Sequence, residues 1–158
     1  MNALDVMKYG HGTVLGEVAK LPDANWIDGG VCGVWSTRDI LAHLASYELV
    51  LGDVLRSVSD GGPTPYLDTF ITSGVEFNDA QVQLRQGQSG AESLAEYERA
   101  YEQVGDLALH IPEEKWREVG VIPWYGNEYS LDDLIVYQYY GHKREHCAQI
   151  AVFVDRLK

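Results

Sequence analysis

The sequence predicts an all-α protein, and three observations support this fold class. Apolar residues recur at helical spacing in four long stretches of the 158-residue chain, as on the buried face of an amphipathic helix. Nowhere do apolar and polar residues alternate over the length of a strand. Two stretches begin at a serine followed three residues later by an aspartate, Ser36 with Asp39 and Ser130 with Asp133, which is a helix-start signal. Four such helices pack most simply as a four-helix bundle.

Composition favours one ordinary domain covering residues 1–158. The chain is 46% hydrophobic and has no low-complexity tract, so it can bury a core without further stabilisation. No apolar stretch has signal-peptide or membrane-spanning length, which predicts neither export nor membrane insertion. The two cysteines, Cys32 and Cys147, are too few for a disulfide framework, although one bridge between them stays open. We therefore expect a cytoplasmic protein.

The charge balance bears on the class of partner. The formal net charge is -12, and a strongly negative chain repels phosphate backbones because nucleic-acid affinity depends on cationic groups that displace counterions. We therefore expect no nucleic-acid partner. The expected partner is a small-molecule substrate or ligand, because the interior of a bundle is where such folds form ligand sites. A homodimer is a further expectation, because bundles pair readily through an exposed apolar helix face.

The first two helices are predicted from their apolar stripes. The first covers about residues 3–20, and Gly10 and Gly12 weaken its middle. The second follows Trp35, opens at Ser36 and continues to about Val58. The stripe of the first helix consists of Leu4, Met7, His11, Val14, Leu15 and Val18.

The rest of the chain predicts two further long helices and a shorter one. Residues 59–65 are rich in glycine and proline and should form a connection. A short extra helix over about residues 70–84 is expected between the second and third main helices, and the third covers about residues 91–108. The last helix opens at Ser130 and runs nearly to the C-terminus. Its predicted inward line is Leu131, Ile135, Tyr139, His142, His146, Ile150, Phe153 and Leu157.

Two histidines in the last helix point to a metal site. His142 and His146 are four residues apart, which places both imidazoles on one face about one turn apart, so that both can reach one ion. Neutral imidazole is a good ligand for zinc, nickel, copper or iron. The alternative is a pair of hydrogen-bonded core histidines. His43 in the second helix is a candidate third ligand, and a site with three protein ligands leaves a position for water or substrate.

Two segments carry a resemblance to a known family. Residues 34–44, from Val-Trp-Ser to His43-Leu44, resemble the Trp-Ser-x-x-acidic-apolar-x-x-His-Leu element that begins the second helix of DinB-like proteins. Residues 141–150 resemble that family's His-x-x-x-His-x-x-Gln-Ile element. The resemblance covers essentially the whole chain and implies a bundle of the DinB/YfiT-like type. It also implies a metal triad of His43, His142 and His146, with nickel or zinc as the usual ion.

The resemblance suggests several functions without choosing among them. The family is similar to thiol-dependent S-transferases that use bacillithiol, mycothiol or glutathione, and to a mycothiol-dependent maleylpyruvate isomerase, while many members have no assigned activity. The leading hypothesis is therefore a metal-dependent S-transferase, with a low-molecular-weight thiol as co-substrate, or a hydrolase that acts on a small electrophile. Tyr47 and Tyr140 are candidate hydrogen-bond donors, and the sequence assigns no catalytic residue. The alternatives are a protein that sequesters a small molecule without turnover and a purely structural bundle.

Four further residues have two interpretations each, and His110 has one. Glu48 and Glu145 are conceivable partners of metal-bound histidines, but the favoured interpretation is solvated helix surface. Cys147 is adjacent to a predicted ligand, but packing in the core is the better interpretation. His11 is interpreted as a hydrogen-bonded core histidine, with approach to the site as the alternative, and His110 as a histidine at a helix end.

Overall fold

The computed structural model describes residues 2–158 and consists mainly of helices. In this part of the chain the only β-type pairing is an isolated bridge between Cys32 and Trp35, which confirms the all-α prediction. The helices are α1 (Ala3–Val18), α2 (Thr37–Ser59), α3 (Pro65–Ser73), α4 (Phe77–Leu84), α5 (Gly90–Ala108), α6 (Leu131–Leu134) and α7 (Gly141–Arg156). Single 3-10 turns lie at Asp23–Asn25, Gly74–Glu76 and Glu113–Trp116.

The long helices pack as a bundle. α2 lies mainly along α5, and α1 lies along α7 and the segment before it. Because α2 also contacts α3, α4 and α7, nearly every residue from Thr37 to Leu55 is buried. None of the helices within residues 2–158 is long and apolar enough to cross a membrane.

Both predicted helix starts form the expected reciprocal caps. The backbone N–H of Asp39 donates to Ser36 Oγ at 3.1 Å, and the Ser36 N–H donates to the Asp39 carboxylate at 3.0 Å. In the second cap, the Ser130 N–H donates to Asp133 Oδ2 at 2.8 Å, and the Asp133 N–H donates to Ser130 Oγ at 3.3 Å. Each cap satisfies amides that the first turn of a helix leaves unpaired, and each therefore fixes where a site-bearing helix begins.

The connection between α2 and α5 differs from its prediction. In place of one short helix over residues 70–84, the chain forms α3 and α4, separated by the turn Gly74–Glu76. Gly74 has a φ of 55°, which favours glycine and interrupts a continuous helix. α3 begins earlier than predicted because Pro65 occupies its first turn, where a missing N–H costs nothing.

The last helix contains a π-helical segment that the sequence pattern did not predict. Ile135–Tyr140 is π-helical and joins α6 to α7 without a break; we call the three together the C-terminal helix. A π-helical segment has i→i+5 hydrogen bonds, so the side chains after it are rotated relative to an uninterrupted α-helix, in which each residue turns about 100°.

The predicted inward line therefore fits the first half of the C-terminal helix better than the second. Leu131, Ile135, Tyr139, His146 and Ile150 are buried. His142 is half-buried, and Lys143, which was not on the line, is buried. Phe153 is half-buried and packs against the core, whereas Leu157 is exposed, so the predicted line was wrong at its last residue, which follows the end of α7 at Arg156.

Candidate metal centre

His43 lies within α2, where the neighbouring helices bury it. Its side chain is 1% exposed. The ring packs beside the rings of Trp35 and Tyr47, at centroid separations of 4.9 and 4.7 Å. These two contacts restrict the orientation of the imidazole, and its Nε2 is directed at the C-terminal helix.

The other two histidines meet His43 from α7. The Nε2 atom of His142 is 2.9 Å from Nε2 of His43 and 2.9 Å from Nε2 of His146. All three residues offer ligand atoms that lie within 4.8 Å of one another. His43 and His146 are buried and His142 is half-buried, so the cluster, which we call the histidine triad, is most open at His142. The structure thus brings together the three histidines that the sequence singled out.

Gln149 fixes the orientation of one member of the triad. The Nδ1 atom of His146 lies 2.8 Å from Oε1 of Gln149, which fits an N–H donating to the amide oxygen. With the proton on Nδ1, the lone pair of Nε2 is directed at the other two histidines. Gln149 belongs to the segment that resembles the family element, but sequence reasoning gave it no role.

The surroundings hold the triad in its neutral form. Burial, with a smaller effect of His142 and His146, lowers the pKa of His43 from 6.5 to about 2. Burial likewise lowers the pKa of His142 to about 4, with smaller effects from His146 and Lys143. The pKa of His146 is also lowered, mainly by burial. Neutral imidazoles have the free lone pairs that metal binding requires.

The donor set fits a divalent metal ion. Three neutral imidazole nitrogens suit zinc, nickel, copper or iron. Ligand nitrogens around a tetrahedral zinc ion, each about 2.0–2.1 Å from it, lie roughly 3.3 Å apart, and two N–N separations here are 2.9 Å. Nε2 of His142 faces two other Nε2 atoms but can donate a proton to only one of them. A shared cation satisfies all three nitrogens at once.

Tyr47 is the tyrosine that lies beside the triad. Its ring centroid is 4.8 Å from that of His142, and its hydroxyl donates to Asn78 Oδ1 at 3.0 Å. The backbone carbonyl of Tyr47 accepts a 2.9 Å hydrogen bond from the Tyr139 hydroxyl, which links α2 to the C-terminal helix. Tyr140, the other candidate donor, lies instead beneath the Arg144 guanidinium.

His11 and Cys147 have the structural roles that the sequence favoured. The His11 ring stacks on Tyr101 with centroids 3.7 Å apart, and its Nδ1 is 3.1 Å from the Tyr97 hydroxyl. Burial, with a smaller effect of Lys143, lowers the pKa of His11 to about 4, so it is a neutral packed histidine. Cys147 is buried in an apolar cluster, and both cysteines are free.

The interpretation as solvated helix surface was confirmed for Glu145 and wrong for Glu48. Glu145 is exposed, as expected. Glu48, interpreted as solvated surface, is 1% exposed and pairs with Lys143, because α2 is covered on all sides and not along one stripe. His110 is exposed just after α5, where its Nδ1 lies 2.9 Å from the Asp106 carbonyl oxygen, as suits a helix end.

Comparison with known proteins agrees with this geometry. The sequence model of the DinB superfamily matches residues 12–150, a range that includes the histidine triad and Gln149. No curated protein and no solved structure matches the chain. Since the family match extends over far more than half of the chain, the chain belongs to the DinB superfamily.

Proposed function

We propose that the chain binds one divalent metal ion, nickel or zinc, through His43, His142 and His146 and uses it to act on a small electrophile. The electrophile is attacked either by the sulfur of a low-molecular-weight thiol, as in an S-transferase, or by water, as in a hydrolase. The observation that carries the proposal is the convergence of three imidazoles with Nε2 separations of 2.9 Å. Membership of the superfamily supports it as well.

The residues around such a site have separate roles. The three histidines hold the ion, Gln149 orients His146, and the Tyr47 ring covers one side of the triad. A bound ion lowers the pKa of a coordinated water or thiol, which supplies a nucleophile at neutral pH. Because His142 is the most open member, the nucleophile and the electrophile approach on its side.

Metal content is the first test. We expect the protein, purified without an affinity tag, to contain close to one equivalent of nickel or zinc by elemental analysis, and a His142→Ala variant to contain almost none. His110→Ala is the matched control, because His110 is exposed and lies outside the triad; it should retain the metal. Wild-type protein that stays free of metal after reconstitution would exclude the proposal.

Turnover is the second test. The metal-loaded protein should convert members of a panel of electrophiles, with thiols or with water alone, and a folded His142→Ala variant should not. Metal-loaded protein that turns over none of the panel would contradict the enzymatic part of the proposal and leave metal binding intact.

One observation favours a second candidate function, sequestration of a small molecule without turnover. Glu48, a buried carboxylate on α2, is paired with Lys143 and so is not free to act as a general base. In that case the protein would protect a target from a toxic electrophile only up to one equivalent. Multiple turnover would exclude this alternative.

A further inference from the structure

A buried ion pair joins α2 to α7, the two helices that carry the histidine triad. Glu48 is 1% exposed and Lys143 is 4% exposed, and the Lys143 ammonium contacts Glu48 Oε1. Apart from this ion pair, neither carboxylate oxygen of Glu48 has a hydrogen-bond partner among residues 2–158. Burying two charges is costly, and apolar residues of similar volume are often at least as stabilising. Stability alone therefore does not account for the pair.

The pair connects the same two helices that carry the triad. Lys143 directly follows His142 on α7, and Glu48 directly follows Tyr47, the residue whose ring contacts His43 and His142, on α2. The contact between His43 and His142 and the ion pair are thus two separate contacts between the same two helices. A shift of one helix along the other would change both.

Every long helix contributes to the surroundings of the Lys143 ammonium. Its Nζ lies 5.4 Å from the ring centroid of Tyr97 and 5.4 Å from that of Tyr101, both on α5. His11 of α1 stacks on Tyr101. The ammonium is therefore held in one place by groups on α2 and α5, and α1 supports the α5 side through His11. Any displacement of the ammonium would leave a charge unpaired in the core.

The pair has no room to act on a substrate. The cavity beside it, lined by Glu48, Lys143, Tyr101 and Tyr139 among others, has a volume of about 10 Å³, which is about the space of one water molecule. Any effect of the pair on the histidine triad therefore passes through α2 and α7, which carry both.

We propose that Glu48 and Lys143 are a positioning pair that sets the register of α7 against α2 and so holds His142 and His146 opposite His43. The proposal rests on the proposed function only where it concerns metal affinity. Apolar contacts tolerate a small slide or rotation of one helix on another, whereas a buried charge has one low-energy position, opposite its partner. α7 needs such a constraint because it follows a π-helical segment, whose end sets the rotation of every later side chain.

The test replaces the pair by apolar residues, Glu48→Leu with Lys143→Met, so that neither charge is left unpaired. The matched control replaces the half-buried pair of Arg85 and Glu96, as Arg85→Met with Glu96→Leu. That pair joins the residue after α4 to α5, and neither helix carries a triad histidine. Zinc affinity is measured by competition with a chelator, and cobalt(II) absorption reports the coordination geometry. Crystal structures of the metal-free wild type and the metal-free Glu48→Leu/Lys143→Met variant give the Nε2 separation of His43 and His142.

We expect the variant to stay folded, to lose about 10- to 100-fold in zinc affinity, as loss of a residue that orients ligands typically does, and to show an altered cobalt spectrum. The control should match the wild type. In the metal-free variant the Nε2 separation should exceed the 2.9 Å of the native chain. If the apolar variant does not fold, Glu48→Gln with Lys143→Gln, which is uncharged but can form a hydrogen bond, takes its place.

Unchanged affinity, spectrum and separation in a folded variant would overturn the proposal and leave a merely structural pair. A wild-type protein that binds no metal would instead refute the proposed function. The metal-free separation would then decide the positioning role on its own, since a widened separation supports it and an unchanged one contradicts it.

Discussion

The hydrogen bond between His146 and Gln149 makes a testable contribution to the metal site at the scale of single residues. A Gln149→Leu variant leaves Nδ1 of His146 without the acceptor that lies 2.8 Å away, so the ring can rotate or change tautomer. We expect metal affinity to fall by about 10-fold or more, measured by competition with a chelator.

A Gln149→Glu variant is the matched control, because a carboxylate accepts the same hydrogen bond and raises the basicity of the imidazole. It should bind metal at least as tightly as the wild type. Equal losses in both variants would mean that Gln149 contributes through packing and not through its oxygen.

Asp39 makes the start of α2 sensitive to pH. Burial alone would raise the pKa of this carboxyl, but hydrogen bonds from Ser36 and the Arg38 guanidinium outweigh burial and lower the pKa below 3.8. A folded-state pKa below the unfolded value contributes stability that is complete above about pH 4 to 5 and is lost as the pH falls through the folded value. We expect Asp39→Asn to be less stable than the wild type at pH 7, and the difference to shrink between about pH 5 and pH 3. Urea denaturation at several pH values measures this, and a difference independent of pH would contradict it.

At the scale of the elements, α1 approaches the C-terminal helix closely because of one glycine. A Cβ at Gly10 would lie 3.3 Å from Lys143 Cδ and 3.4 Å from Tyr140 Cδ2, whereas a Cβ at Gly12 would meet nothing within 4 Å. The sequence showed both glycines only as weak points of a helix. The structure separates them, since the first lies at a helix crossing and the second faces solvent.

The two glycines therefore predict different effects of the same substitution. Gly12→Ala should raise the free energy of unfolding by about 0.5–1 kcal/mol, the helical advantage of alanine over glycine. Gly10→Ala should gain less or become destabilising, because Lys143 and Tyr140 must move. Chemical denaturation compares the two variants. An equal gain in the free energy of unfolding at both positions would show that a methyl group fits between α1 and the C-terminal helix without displacing Lys143 or Tyr140.

At the scale of the whole molecule, a metal ion on the triad would join α2 to α7. An ion that binds the folded chain alone stabilises it by about 2.7 kcal/mol at a concentration 100 times Kd, which for a chain of this size corresponds to a rise in Tm of roughly 5–10 °C. We expect this rise with zinc or nickel in calorimetry. Magnesium, which prefers oxygen ligands, should produce none.

The His142→Ala variant is the control for this measurement and should show no zinc-dependent rise in Tm. A rise of equal size in that variant would place the binding site elsewhere in the chain.

The sequence predicted those features that depend on local chemistry. Helical spacing and the serine–aspartate caps predicted the long helices, because amphipathic periodicity and capping act within a few residues of chain. The spacing of His142 and His146 placed two imidazoles on one helix face for the same reason. His43, a histidine on another helix, was the candidate third ligand, and the family resemblance supported it.

Only the tertiary structure decided which side chains lie inside, since burial depends on what packs against a helix from every direction. Glu48 is buried because helices cover α2 on all sides. Lys143 is buried, and His142 half-buried, because the helix that carries them passes through a π-helical segment that follows no 3.6-residue period. The sequence by itself therefore determined the helices and nominated the three histidines. The packing of those helices decided how the histidines face one another and formed a buried ion pair between the same two helices.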